Sequence, residues 1–367
     1  MGEIALGSNP KILVEGTSLS GERSGVGRFT YELLKALRVK DAELHILTLD
    51  SAKREVDVKF LSNNITYLNR ITQRIIWTTL DYLTIFKIEK YFKVDLDFAI
   101  YPNFKYLPTK LPSLTFIHDI SYTKGESWGS SGFIRRITRW GKRSIGSNTT
   151  ITTISSTIAK EISQFYNYPL EKILIINPGI AQTMLEAGQP GVIIVRKGFL
   201  VVGTFEKRKN LAFIIQAYND LSPREQIDNP LTLVGRIGND FEKISTLAKH
   251  NPNIKLVPNI SDQELINLYQ RSLFLISASN YEGFGMQVAE SMYFGLGLIL
   301  SNIAVHHEVS GNFARFFGLE DKSNLTNLLK SEVMNYPNDF HKQAKIIAQS
   351  YSWEVAAQKV ITYFKQK

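Results

Sequence analysis

The chain lacks cysteine entirely over its 367 residues. That excludes a disulfide framework and any thiolate-held metal, and it fits a reducing cytosol. Met1 to Pro10 has neither a basic start nor an apolar core, so no secretory signal is expected there. Nowhere do about 18 apolar residues run together, so no membrane-spanning helix is predicted. No short-period repeat is visible, which argues against a solenoid. No Asp-x-Asp pair sits where a strand gives way to a helix, so metal-independent chemistry is expected and no metal ligand is assigned.

What is present is an ordinary globular balance, with 44% hydrophobic and 21% charged residues, in a chain long enough for two cores. The net charge is +9, distributed as +7 over residues 1–180 and +2 over 181–367. Such an excess suits nucleic acid, a membrane surface or anionic small molecules.

Short β-branched runs alternate with amphipathic stretches, the pattern of repeated βα units on parallel sheets. In the first half strands are predicted at 11–15, 44–49, 96–101, 114–118, 149–153 and 173–176. Helices are predicted at 28–37 and 156–165, the latter capped by Ser155 or Ser156. Residues 177–196, with Pro178, Gly179, Gly188, Pro190 and Gly191, read as a linker. The alternation then restarts, with strands at 199–202, 231–235, 254–257, 273–277 and 298–301. The restart predicts two doubly wound α/β domains facing each other across a cleft, with ligands beyond the carboxyl ends of the strands.

Four stretches carry candidate chemistry. In the first, Ser279 to Met292, an apolar strand runs into a loop containing Glu282, Phe284 and two glycines, Gly283 and Gly285, which precede an amphipathic helix. The glycines allow close backbone approach, and a helix start offers N–H groups to an anion. Glu282 lies in the loop and Glu290 about a turn and a half inside the helix. Two carboxylates so placed either accept hydrogen bonds from two sets of sugar hydroxyls or are simply solvated. In the second, Gly203-Thr204-Phe205-Glu206-Lys207-Arg208-Lys209-Asn210 follows a strand directly. It is either a solvated charge run or a diphosphate site, whose cations would neutralise the charge that grows on a departing nucleotide. The third is Ser24-Gly25-Val26-Gly27-Arg28, a glycine-rich helix start that lacks the full dinucleotide fingerprint. The fourth is His118-Asp119 at a strand end: a buried structural pair, a metal fragment or part of a catalytic centre. The adjacent His306 and His307 cannot chelate one ion well.

The first of these stretches resembles the signature of glycosyltransferase family 4, retaining enzymes of the GT-B fold: a glutamate, Gly-Phe-Gly, then a second glutamate followed by a small residue and Met. The second resembles the Gly-Thr-Leu-Glu-Pro-Arg-Lys-Asn motif of a mannosyl- and rhamnosyltransferase-like subset, with Lys207 in place of proline. The third resembles that subset's Gly-Ile-Gly-Arg-Tyr segment, and the family also has a histidine near the donor sugar. Asn177-Pro178-Gly179-Ile180 is similar to the hinge segment with Asn and Pro exchanged, and Tyr351-Ser352-Trp353 to the Phe-Ser-Trp that opens the C-terminal helix. The resemblance runs from about residue 11 to 365. Gly295-Leu296-Gly297 departs from the usual Gly, small residue, Pro.

The resemblance implies a domain of residues 1–180 on the acceptor side, completed by a helix at about 352–367, and a nucleotide-sugar-binding domain of residues 181–351. It assigns Glu282 and His118 to the catalytic centre, and Glu290 to the nucleotide ribose. Arg208 and Lys209 would hold the diphosphate, with Gly203, Thr204, Phe284, Gly285 and Met286 beside the donor. Gly25, Gly27, Arg28 and Asp119 would line the cleft on the acceptor side. The expected activity is transfer of a hexose, mannose- or rhamnose-type by analogy, from a nucleotide diphosphate sugar, with the anomeric configuration retained. Its setting would be cell-surface glycan synthesis, as of lipopolysaccharide or capsule. A non-catalytic partner subunit of the same fold, or a nucleotide-sugar epimerase, is the alternative.

Phe133 to Arg143 interleaves five basic residues with Phe, Ile and Trp, and residues 74–93 have the same flavour. Such mixtures suit an anionic headgroup layer, or are ordinary helices packed on a sheet. The membrane reading makes a polyprenyl- or lipid-linked glycan the acceptor and the protein cytoplasmic, peripheral on the inner face. No nucleic-acid module is recognisable, so no nucleic-acid partner is expected.

Overall fold

The structure, a computed structural model, describes all residues except 1–8, 21–24, 50–55, 69–93, 105–106, 108, 125–130, 146–148, 189–194 and 336–337. The sequence readings for residues 74–93, for Ser24, and for most of Met1 to Pro10 therefore lie outside the described residues, as do Pro190 and Gly191 of the linker. The chain divides into two compact units, Met1–Gly179 with Ser352–Lys367, and Ile180–Tyr351.

The first unit runs β1 (Lys11–Glu15), α1 (Gly25–Val39), β2 (Glu43–Leu49), α2 (Val56–Leu61), β3 (Asn64–Leu68), β4 (Phe98–Tyr101) and β5 (Ser113–Phe116). It continues through α3 (Ser131–Ile145), β6 (Thr150–Thr153), α4 (Ser156–Tyr166) and β7 (Leu174–Ile175). Every described pairing is parallel, in the order β3-β2-β1-β4-β5-β6-β7.

In the second unit come α5 (Gln182–Ala187), β8 (Phe199–Val202), α6 (Leu211–Asn219), α7 (Pro223–Asp228), β9 (Leu231–Gly235), α8 (Phe241–Lys249) and β10 (Ile254–Pro258). Then follow α9 (Asp262–Arg271), β11 (Phe274–Ser277), α10 (Met286–Phe294), β12 (Gly297–Ser301), α11 (Ala304–Ser310), β13 (Ala314–Phe317), α12 (Lys322–Asn335) and α13 (Asn338–Ser350). This sheet is also parallel, in the order β10-β9-β8-β11-β12-β13. The last helix, α14 (Trp353–Lys365), belongs to the first unit.

The central strands are buried on both faces, which is why they read as unbroken apolar runs such as Phe199-Leu200-Val201 and Gly297-Leu298-Ile299-Leu300. Two strands escaped sequence reading, β3 and β13. Both are sheet edges with polar residues interspersed, among them Asn64, Thr66 and Arg315, so no apolar run marks them. The span read as a linker contains α5, whose Met184 is fully buried. Its short helical pattern was hidden among the flanking glycines and prolines. Ser155 caps α4, its Oγ accepting from the Ile158 N–H at 3.2 Å, while Ser156 is the first helical residue.

In each sheet the strand order reverses once, between β1 and β4 and between β8 and β11. Crossovers leave these adjacent strands toward opposite faces, and the loops at their carboxyl ends separate to open a crevice.

The C-terminal helix is fastened to the first unit by aromatic packing. Phe364 stacks on Phe98 at 4.1 Å, Trp353 meets Phe29 edge-on at 5.3 Å, and the Tyr363 hydroxyl lies 2.6 Å from that of Thr150. Gly179 lies against the start of this helix. A Cβ there would stand 2.2 Å from the Trp353 backbone nitrogen and 2.6 Å from the Ser352 carbonyl carbon. Backbone cannot yield as a side chain does, so Gly179→Ala is expected to cost about 1–3 kcal/mol. Thermal denaturation of the variant checks this, and an unchanged melting temperature would refute the contact.

Candidate active site

The second unit's crevice is built by the loops after β8 and β11, the two strands that flank the reversal. The loop after β8 turns at Gly203, where φ is +154° and a Cβ would come within 3.0 Å of Lys209 Cε. A single turn over Lys207–Lys209 then ends at Asn210, which takes the left-handed conformation (φ 51°) and starts α6. The loop after β11 ends at Gly285 (φ 85°), the residue before α10. Glycine meets that angle without the strain a Cβ brings. The two loops are joined through backbone, the Asn280 N–H donating to the Arg208 carbonyl at 2.8 Å.

Side chains complete the junction. Arg208 donates from Nη1 to Glu282 Oε2 at 2.8 Å and from Nε to Glu206 Oε2 at 2.8 Å. Lys209 Nζ forms an ion pair with Glu282 Oε1, and Ser279 Oγ donates to that same oxygen at 2.7 Å. Lys209 and Glu282 are 8% and 6% exposed, so the pair is shielded from water, whereas Arg208 keeps 27% of its side chain open. The charge run is therefore no solvated face. Two cations and two carboxylates balance, so burial leaves no uncompensated charge.

Burial by itself would raise the Glu282 pKa. The charges of Lys209 and Arg208, with hydrogen bonds from Lys209 and Ser279, outweigh it and hold the carboxyl well below the usual carboxylate range. Burial pushes the Lys209 ammonium down, opposed by Glu282 and helped by Arg208.

Glu290 sits within α10 and is 5% exposed. Its Oε2 accepts from the Tyr269 hydroxyl at 2.7 Å. The reading of the two glutamates as solvated thus fails for both. Of the remaining candidates in this unit, Phe284 is buried edge-on against Tyr351 (5.1 Å), while Thr204 and Met286 are half-buried.

Sequence reasoning missed three polar residues here. Ser279 lay inside the quoted motif, unassigned. Tyr269 occupies the buried stripe of α9 with Leu265 and Ile266. A tyrosine in such a stripe signals a hydroxyl in need of a partner. His306 carries no sequence signal beyond its adjacency to His307. It is fully buried, with Nδ1 3.0 Å from the Ser301 carbonyl, and burial lowers its pKa, opposed by Glu282 and that carbonyl.

The other candidates belong to the first unit. His118 follows β5, with Nε2 2.7 Å from the Pro102 carbonyl and its ring edge-on to Phe29 at 4.7 Å. Burial lowers its pKa, opposed by the Pro102 carbonyl and Asp119. Such a ring is neutral at physiological pH, with Nε2 as donor. Pro102 follows β4, so this contact borders the first unit's own reversal. Asp119 Oδ1 accepts from the Ser121 N–H (2.9 Å) and hydroxyl (2.7 Å), which commits that oxygen to a local turn. Gly25 is the exposed first residue of α1, with open space around its Cα, and Gly27 is buried and Arg28 half-buried one turn on. Among the described residues no three His, Asp or Glu side chains are grouped so as to ligate a metal.

Two parallel doubly wound units in one chain are the architecture of the GT-B glycosyltransferases. Residues 23–182 match the profile described as Glycosyltransferase Family 4, and residues 195–346 match Glycosyl transferases group 1. The chain belongs to glycosyltransferase family 4. It is 26% identical over 282 residues to the O-antigen chain mannosyltransferase B of Escherichia coli, covering 72% of this chain and 73% of that one. Among solved structures it resembles WaaG, a glycosyltransferase involved in lipopolysaccharide biosynthesis (TM-score 0.73, 13% identity, 96% of this chain and 99% of that one). It also resembles the Anabaena protein HepE in complex with UDP and glucose (TM-score 0.72, 13% identity, 98% and 100%).

The ion-pair geometry makes a stability prediction. A carboxyl whose folded pKa is depressed adds stability above its unfolded value, here the ordinary 4.5, and that part is withdrawn as pH falls toward the folded value. Lys209→Met leaves Glu282 with Arg208 and Ser279 and is expected to cost about 3 kcal/mol at pH 7. The gap between native protein and variant should narrow as pH falls from about 6 to about 3. Urea denaturation followed by circular dichroism measures it, and a gap independent of pH would contradict the pairing.

Proposed function

We propose that this glycosyltransferase moves mannose from a nucleoside diphosphate sugar to a growing cell-surface glycan, with retention of anomeric configuration. The observation that carries the reading is the clasp of Glu282 by Lys209 and Arg208 where the loops after β8 and β11 meet. In this reading the donor diphosphate lies against Arg208 and Lys209, beside the Gly203-Thr204 turn. Arg208 is the partly open cation, and a diphosphate oxygen takes the place of one of its carboxylate partners. As the bond from the anomeric carbon to the diphosphate breaks, negative charge builds on the leaving oxygen. Cations already fixed in a low-dielectric setting stabilise that charge without reorganising.

Glu282 accepts hydrogen bonds from donor-sugar hydroxyls, against the backbone of Phe284, Gly285 and Met286. Glu290 takes the ribose. His118, its one N–H given to the Pro102 carbonyl, offers its other ring nitrogen as an acceptor to a hydroxyl of the transferred sugar, and Gly25, Gly27 and Arg28 meet the acceptor side. The structure of HepE in complex with UDP and glucose supports a nucleotide-linked donor. The name of the E. coli O-antigen chain mannosyltransferase B supports mannose and a lipopolysaccharide-type glycan. The cations are proposed to do the work a metal does elsewhere, so transfer is expected to persist in EDTA.

A thermal-shift screen with UDP, GDP, ADP and CDP tests the donor site. One base should raise the melting temperature by mass action. Arg208→Ala should weaken that ligand about tenfold or more, the worth of a charge-assisted hydrogen bond. With the matching sugar nucleotide, Glu282→Gln should lower transfer about 100-fold or more, as loss of a preorganised polar contact does. Near-native transfer by Glu282→Gln would defeat the assignment.

A membrane surface is the proposed location of the acceptor. On α3, Arg135, Arg139 and Lys142 are exposed at helical spacing, and the helix carries no acidic residue. Its inner face is committed to protein: Ile137 is buried, and Gly141 lies so close to the Tyr166 hydroxyl that a Cβ would be 2.0 Å from it. The outward cations, more than the apolar residues between them, therefore support attraction to anionic lipid. Among the described residues no helix is long and apolar enough to cross a membrane. Vesicles containing phosphatidylglycerol should bind the protein in a salt-sensitive way, each Lys or Arg contributing about 1 kcal/mol. Replacing the three cations with Glu should abolish this, and equal binding to neutral vesicles would refute it.

A further inference from the structure

Glu290 is held by a residue outside the stretches that carry the family resemblance. Tyr269 lies on α9, 21 positions earlier, with no exposed surface, and its hydroxyl donates to Glu290 Oε2 at 2.7 Å. The ring is held as well. It stacks parallel to Phe294 with a lateral offset, ring centres 5.3 Å apart and 7° between planes. Phe294 stands four residues after Glu290 on α10, on the same helical face. The stack fixes how far the hydroxyl reaches, and the hydroxyl fixes one oxygen of the carboxylate. A glutamate side chain has three rotatable bonds, and anchoring one oxygen in a packed interior leaves it a single orientation.

We infer that Tyr269 is a positioning residue for the donor: by anchoring Oε2 of Glu290 it aims the carboxylate at both ribose hydroxyls, so that the site selects a ribonucleoside diphosphate over its 2′-deoxy counterpart. The inference rests on the assignment of Glu290 to the ribose made above. Its physical basis is that a carboxylate held in one direction distinguishes two hydroxyls from one, whereas a rotating carboxylate finds whichever hydroxyl is present. A buried polar group built for a partner also penalises the ligand that lacks it.

Isothermal titration with UDP, GDP, ADP and CDP, each beside its 2′-deoxy form, tests this on native protein, Tyr269→Phe, Glu290→Gln and Phe294→Leu. For the base that binds, native protein should prefer the ribose form by about tenfold. Tyr269→Phe should bring the two forms to within about twofold, mostly by weakening the ribose form. Phe294→Leu disturbs the same packing but keeps the hydroxyl, and should retain most of the preference even with a lower melting temperature. If Tyr269→Phe keeps the native preference, Tyr269 is structural only and the inference falls alone. If native protein shows no preference, if Glu290→Gln keeps it, or if no ribonucleoside diphosphate binds, the ribose assignment falls and the inference with it.

Discussion

The ion pair between Glu282 and the adjacent cations Lys209 and Arg208 is the contact on which the second unit's crevice depends. The β8 loop contributes cations and the β11 loop contributes the carboxylate, 73 and 74 residues away in sequence. Neither charge is stable alone at this depth. Together with the Asn280–Arg208 backbone hydrogen bond they pin two loops that the strand-order reversal would otherwise let splay apart. The same contact serves function and folding. In the proposed mechanism the charges that meet a departing diphosphate must be present before the donor arrives, and the carboxylate holds these two cations in place.

The sheets explain why the residues fall where they do. A parallel strand delivers its carboxyl end to the same edge as its neighbours, so every strand-to-helix loop opens on that edge. Only at a reversal do adjacent loops diverge enough to admit a ligand. In the second unit both loops there are glycine-punctuated and polar. In the first unit the corresponding edge brings Pro102, after β4, to His118, after β5. The single turn of sequence between Gly203 and Asn210 therefore does several jobs. It turns the chain, places Arg208 and Lys209, and starts α6.

Much of this was legible in the sequence, for identifiable reasons. The central strands announced themselves because burial on both faces demands apolar runs, and the helix after Gly285 because a glycine loop preceded it. The edge strands β3 and β13 were not legible, since a strand paired on one side only tolerates Asn64 or Arg315 within it. Helix α5 was hidden because its six residues are too few to display a period. Within the site the charged residues could be picked out by motif, but their pairing could not: spacing along the chain does not reveal that Arg208 reaches Glu282. Tyr269 and His306 were invisible for a related reason. Each meets its partner only after folding: the stripe of α9 marks the Tyr269 hydroxyl as needing a partner but does not say that the partner is Glu290.

The measurement that bears most directly on the account is a crystal structure of the protein with the nucleoside diphosphate that binds it. The diphosphate oxygens should lie within hydrogen-bond distance of Arg208 and Lys209, and the ribose hydroxyls on Glu290 with Tyr269 still bonded to its other oxygen. A diphosphate bound away from both cations, with the Glu282 clasp untouched, would contradict it.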